Sequence, residues 1–82
     1  MEETRLAILG IFVRDLSRSE AVNALLHDYG AYVIGRLGVP CRERGVSVIS
    51  VIVDAPNEII SALSGKLGRI PDVQAKAMYT KS

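Results

Sequence analysis

Cys41 and His27 are the only thiol and the only imidazole in the chain, so nucleophilic, acid–base or soft-metal chemistry would have to start from them. Cys41 falls inside a charged connection, Pro40-Cys41-Arg42-Glu43-Arg44-Gly45. Guanidinium groups beside a thiol favour the thiolate, which would make the sulfur reactive or a metal ligand; an ordinary loop cysteine is the alternative. His27 has no acidic residue at a spacing that would orient it as a base. A surface residue near a helix C-terminus accounts for it. A thiol and an imidazole are half of a tetrahedral metal site. No metal is therefore assigned within one chain, the cofactor is left unassigned, and a metal sensor would need Cys41 at a subunit interface.

The remaining polar motifs carry less chemistry. Asp15 and Asp54 recur at the ends of two apolar runs, where capping or turn formation explains both. Ser64-Gly65-Lys66-Leu67 imitates the end of a phosphate loop but fails as one: Ile60 stands where the first Gly is needed and Leu67 where Ser or Thr is needed. Lys66 and Gly68 read instead as the charge complement and the end of a helix. No dinucleotide fingerprint, nucleophile elbow or paired carboxylate set is present, so an enzyme is not expected. A small dimeric enzyme using His27 or Cys41 is the alternative. Arg36, Arg42, Glu43 and Arg44 form the densest charged cluster, either a solvated hairpin or a rim of donors for an anionic ligand or partner. The cluster is small, exposed aromatics for base stacking are lacking, and the net charge is only +1. Direct nucleic-acid binding is not expected.

These residues must be positioned by elements that are unusually apolar. Leu6 to Val13 and Val46 to Val53 are each about eight residues of mostly β-branched and aliphatic side chains, which read as strands. In the first, Leu6, Ile8 and Phe12 oppose Ala7, Leu9, Ile11 and Val13; in the second, Val46, Val48 and Ile52 oppose Ile49, Val51 and Val53. Neither strand has a polar face, so both belong in the centre of a sheet covered on both sides.

Between and after them the chain supplies two helices and two weaker strands. Ser17-Arg18-Ser19-Glu20 has the capping-box pattern. The helix it opens carries Ala21, Val22, Leu25, Leu26 and Tyr29 on one stripe, and Gly30 suits a left-handed cap. Ala31 to Val39 reads as the second strand, with Val33 and Leu37 on one side and Tyr32, Ile34 and Arg36 on the other. Gly35 and Gly38 mark a bulge or bend in it. Pro56 opens a second helix whose buried stripe is Ile59, Ile60, Leu63, Leu67 and Ile70. Gly68 ends that helix and Pro71 prevents its resumption. Val73 to Thr80 alternates as an edge strand, and Tyr29, Tyr32 and Tyr79 read as core or interface residues. Met1 to Thr4 reads as a frayed end.

The order is β-α-β-β-α-β. Strand one, Asp15, Ala24-Leu25 and Gly30 align with strand three, Asp54, Ala62-Leu63 and Gly68, as two β-α-β units with right-handed crossovers. This predicts an α+β, ferredoxin-like βαββαβ sandwich: one domain over residues 1–82, with a four-stranded antiparallel sheet in the order 4-1-3-2 and two helices on one face. The other face is apolar and bare. A chain of 82 residues buries only about 60–65% of its unfolded surface, so a homodimer or homotetramer through that face is expected. A lone cysteine and an acidic, polar start point to the cytoplasm, and the apolar runs are too short for a membrane helix.

Leu9-Gly10-Ile11-Phe12-Val13, Asn23-Ala24-Leu25-Leu26-His27-Asp28-Tyr29-Gly30, Ile34-Gly35-Arg36-Leu37-Gly38, Gly45 to Val51 and Leu63-Ser64-Gly65-Lys66-Leu67-Gly68-Arg69-Ile70-Pro71 together resemble the small regulators assigned to the iron-only hydrogenase system. The resemblance spans nearly the whole chain. More distantly the chain looks like ACT-type regulatory domains and the effector domain of nickel-responsive repressors. That resemblance implies the βαββαβ plan, assembly through the sheets, small effectors at subunit interfaces and a regulatory role in hydrogenase expression or maturation. The nickel-responsive relatives carry several histidines around the hairpin and third strand. Here that strand has none, so nickel is not carried over. The first strand starts at about Arg5, leaving no room for a preceding DNA-binding segment, so regulation is expected to run through another regulatory or maturation protein. If a ligand binds, its expected place is the Asp15-Leu16-Ser17 turn at the start of helix one, facing another subunit, where free N–H groups suit an anion and Arg36 or Arg42 assists.

Overall fold

The computed structural model describes residues 3–80; of the expected frayed end, Met1 and Glu2 lie outside them. The chain forms β1 (Arg5–Val13), a 3-10 turn (Leu16–Arg18), α1 (Ser19–Asp28), a second 3-10 turn (Gly30–Tyr32) and β2 (Val33–Cys41). A third 3-10 turn (Arg42–Arg44), β3 (Val46–Ala55), α2 (Asn57–Gly68) and β4 (Val73–Tyr79) follow. The sheet has the order β2-β3-β1-β4 with every neighbour antiparallel, as the apolar pattern predicts.

Register explains the core. Leu9 stands opposite Val51 on one side and Ala77 on the other, and Ile11 opposite Ile49 and Ala75. Residues directly opposite share a face. These side chains, with Ala7, Val13, Val53 and Val73, pack against Val22 and Leu26 of α1 and Ile60, Leu63 and Leu67 of α2 in one buried cluster. Tyr29, Tyr32 and Tyr79 are partly buried against it, as are Ile59 and Ile70. Both helices therefore cover the same face. Ala21, placed on the α1 stripe by its spacing, is exposed, and the stripe is the narrower Val22-Leu25-Leu26-Tyr29.

Four local expectations are corrected. The capping box does not form: the Asp15 carboxylate accepts from the Ser17 backbone N–H at 3.0 Å and from its hydroxyl at 2.8 Å, so Asp15 caps the first 3-10 turn and α1 starts one residue later than a Ser17 cap requires. Gly30 is not left-handed. Tyr29 runs straight into the Gly30–Tyr32 turn, whose Tyr32 N–H reaches Tyr29 O at 3.0 Å, and a tight turn satisfies helix-end carbonyls without a left-handed residue. The positive φ values among the described residues are Gly45 (66°), closing the β2–β3 hairpin, and Asp72 (64°). Asp72 sits third in an Ile70-Pro71-Asp72-Val73 turn, closed by Val73 N–H to Ile70 O at 3.1 Å, the position where a type II turn demands positive φ.

The third and fourth corrections concern β2. It begins at Val33, not Ala31, and runs on through Cys41, which is a strand residue paired with Val46 rather than a loop cysteine. A bulge lies between Val33, opposite Val53, and Gly35, opposite Ile52, where the glycines suggested one. The extra residue, Ile34, shifts the alternation. Val33 faces the helices, but Leu37, opposite Ser50, faces away from them, and Arg36, opposite Val51, joins the helix side. Simple alternation had put Val33 with Leu37.

Candidate functional site: the bare sheet face and its hairpin end

The face turned away from the helices is built from alternate residues of all four strands. Leu6, Ile8 and Phe12 of β1, Ile52 of β3, Leu37 and Val39 of β2 and Met78 of β4 point to it, each more than 40% exposed. Elsewhere only Leu16 and Ile34 join them as large exposed apolar residues among those described. Contiguous apolar surface of this kind marks an interaction site. At the centre of its middle row Gly10 stands opposite Ser50, flanked by Leu37 and Lys76 on the edge strands, and a Cβ added at Gly10 would meet nothing within 4 Å.

Two ends of the face differ. Toward the C-terminal end of β4, Leu6, Ile8, Ile52 and Met78 line an apolar hollow of about 370 Å³, with Asp54 opposite Leu6 at the same end. Toward the β2–β3 hairpin, Phe12, Val46 and Val48 line a hollow of about 250 Å³ together with Arg14, Arg44, Cys41 and Gln74. A third hollow, about 310 Å³, wraps the hairpin from the other side and brings Leu16 to Pro40, Cys41, Arg42 and Val46.

Of the five residues expected to bind a ligand, the fold brings Leu16 and Arg42 together in that third hollow. Asp15 and Ser17 flank Leu16 but bind each other. The Ser17 backbone N–H, then its hydroxyl, with the Arg18 charge adding to them, hold the Asp15 carboxyl below the ordinary aspartate range. The Ser17 N–H is thus occupied by a carboxylate that repels an incoming anion. Arg36 points to the helix side and donates to Asn23 Oδ1 of α1 at 2.8 Å. His27 is exposed in the last turn of α1. Lys66 reaches Tyr29, donating to its hydroxyl at 2.8 Å, and so links α2 to the end of α1. Among the described residues no group of three or more His, Cys, Asp or Glu could hold a metal ion, and no helix is long and apolar enough to cross a membrane.

Arg14, Gln74 and Asp54 escaped notice as parts of the face. Arg14 was legible, since it continues the series Leu6, Ile8, Gly10, Phe12. Gln74 was not, because its place depends on the β1–β4 register, which sets Phe12 opposite Gln74.

The fold and the bare face define a small ferredoxin-like α+β module whose most developed feature is a surface, not an enclosed centre. The family follows from comparison: the chain belongs to the TM1266-like family, provisionally described as iron-only hydrogenase system regulators, whose model matches residues 5–77. Among solved structures it is similar to the uncharacterized protein TM1266 from Thermotoga maritima, with 39% identity and a TM-score of 0.91, over 96% of this chain and 100% of that one. No curated protein matches it.

Proposed function

We propose that this protein is a non-enzymatic regulatory module of the iron-only hydrogenase system that works as a homo-oligomer, its copies meeting through the bare sheet face. The observation that carries this is the concentration of exposed Leu, Ile, Phe, Val and Met side chains on that one face. Four strands about 4.8 Å apart and some nine residues long present a footprint of roughly 600 Å², the same order as the about 800 Å² per partner of a stable interface. A small effector with an apolar body and an anionic group would bind the hairpin hollow, Leu16 packing on it and Arg42 meeting its charge. Regulation would then pass to another regulatory or maturation protein through a change in the assembly.

Sedimentation velocity tests the assembly. The protein should sediment as a dimer or larger at low micromolar concentration, and Ile8→Lys with Ile52→Lys should yield a folded single subunit. A wild-type protein that sediments as a folded single subunit would refute it. A thermal-shift screen of amino acids, nucleotides and metals, repeated on Arg42→Gln, tests the effector: a shift that the variant loses supports it, and no shift with any compound favours a scaffold.

A further inference from the structure

Resting on the reading that copies meet through the bare face, we propose how they meet: the second copy is turned end for end, about a two-fold axis that runs across the strands at the Gly10–Ser50 row. Three features of the face point to this arrangement and against the other simple two-fold, which runs along the strands.

The first is the waist. Gly10 and Ser50 are small and stand opposite each other midway along the two inner strands β1 and β3, with Leu37 and Lys76 at the ends of the same row on the edge strands. An axis there lets two sheets approach most closely at the centre, where no side chain projects from Gly10.

The second is a knob and a hollow at equal distances from that waist. Phe12 lies two residues to one side of Gly10 and Ile8 two residues to the other, each about 7 Å along the strand. Turned end for end, Phe12 of one copy comes to lie over Ile8 of its partner. That is where Leu6, Ile8, Ile52 and Met78 line the apolar hollow of about 370 Å³. The exchange is reciprocal, as a two-fold interface requires, and a buried aromatic in an apolar pocket is the usual anchor of an interface.

The third is charge. Arg14 lies four residues beyond Gly10, in the hollow it shares with Arg44. Asp54 lies four residues beyond Ser50, at the opposite end. End-for-end pairing sets Arg14 over Leu6 of the partner, offset sideways from its Asp54 by one strand spacing, about 4.8 Å, across the roughly 10 Å between stacked sheets, a gap that two facing side chains span. An axis along the strands would instead gather both copies' Arg14 and Arg44 at one end and both Asp54 at the other. Like charges facing each other across an interface cost affinity and reject the arrangement. Lys76, in the same row as Gly10, meets its own copy in the end-for-end pairing; on the edge strand its long stem carries the ammonium to water.

A charge-exchange cycle tests the pairing. Within one chain Arg14 and Asp54 are eight residue steps apart along the sheet, roughly 26 Å, so they can couple only between copies. Arg14→Asp and Asp54→Arg should each raise the self-dissociation constant about ten-fold, measured by sedimentation equilibrium at low salt, and the double variant should return it to within about two-fold of the parent. Phe12→Ala should weaken association, and so should Ile8→Trp, which fills the hollow. Spin labels on Cys41, the one cysteine, give a second readout: roughly 30 Å apart when the ends are reversed, and under about 20 Å when the hairpins lie together. Self-association with no rescue in the double variant, or with the short label distance, overturns this pairing while leaving assembly through the face intact. A wild-type protein that never self-associates overturns both.

Discussion

Asp15 accepts two hydrogen bonds from Ser17 and so prefers to stay ionised in the folded chain. Its carboxyl is held below the ordinary aspartate range, first by the Ser17 backbone N–H and then by the Ser17 hydroxyl. For a carboxyl lowered by folding, the stabilisation is fully present above the ordinary value and is lost as pH falls through the lowered one. An NMR titration should therefore find Asp15 below the ordinary range, and Ser17→Ala should move it only part of the way back, because the backbone donor remains. Titration of Asp15 at the ordinary value would contradict the capping geometry. The recurrence of Asp at two strand ends made a capping role legible in the sequence. Which residue caps was not legible. Asp15 and Ser17 are both good caps two residues apart, and the carboxylate, the stronger acceptor, takes the N–H that a helix starting at Ser17 would have left free. Arg36 is a similar case. Its charge was visible, but Asn23, which accepts from it, comes from a helix whose rotation against β2 no local pattern encodes.

The elements themselves follow closely from sequence, because hydrophobic period and turn residues agree. β1 and β3 are apolar on both faces and are the two inner strands; β4 alternates and lies at an edge. β2 is where the pattern misleads. Its period of two is broken by Ile34, and side-chain direction after a bulge depends on which residue is extra. Gly35 flagged the irregularity without fixing its phase. The register makes a sharp test at Val33 and Leu37, which plain alternation would place on one face. Val33 packs against the core, while Leu37 is 65% exposed on the bare face. Val33→Lys should destabilise the folded subunit by about 1–2 kcal/mol, since it replaces a partly buried branched side chain that packs against the core with a charge. Leu37→Lys, measured by urea unfolding in a background that already carries Ile8→Lys, should change it by less than about 0.5 kcal/mol. Equal costs at the two positions would mean that the bulge is misplaced.

At the scale of the whole molecule, the two central strands contribute apolar side chains to both faces, and the two helices shelter only one. The sheltered side holds the buried cluster; the other leaves Leu6, Ile8, Phe12, Ile52 and Met78 between 42% and 66% exposed. A face with this composition is stable in water when something covers it, and binding that covers the folded but not the unfolded chain couples stability to concentration. For a dimer that unfolds to single chains, each tenfold rise in protein concentration adds about 1.4 kcal/mol to apparent stability. The thermal midpoint should then climb with concentration over the micromolar range. In Ile8→Lys with Ile52→Lys, where two charges per copy face each other across the sheet, the midpoint should be independent of concentration. The variant also separates the two sources of stability, since both substituted positions already face away from the helices and the buried cluster keeps every member. A midpoint that is flat with concentration in the parent protein would mean that the exposed face is tolerated by a single subunit, and the regulatory reading would have to rest on the hairpin hollow alone.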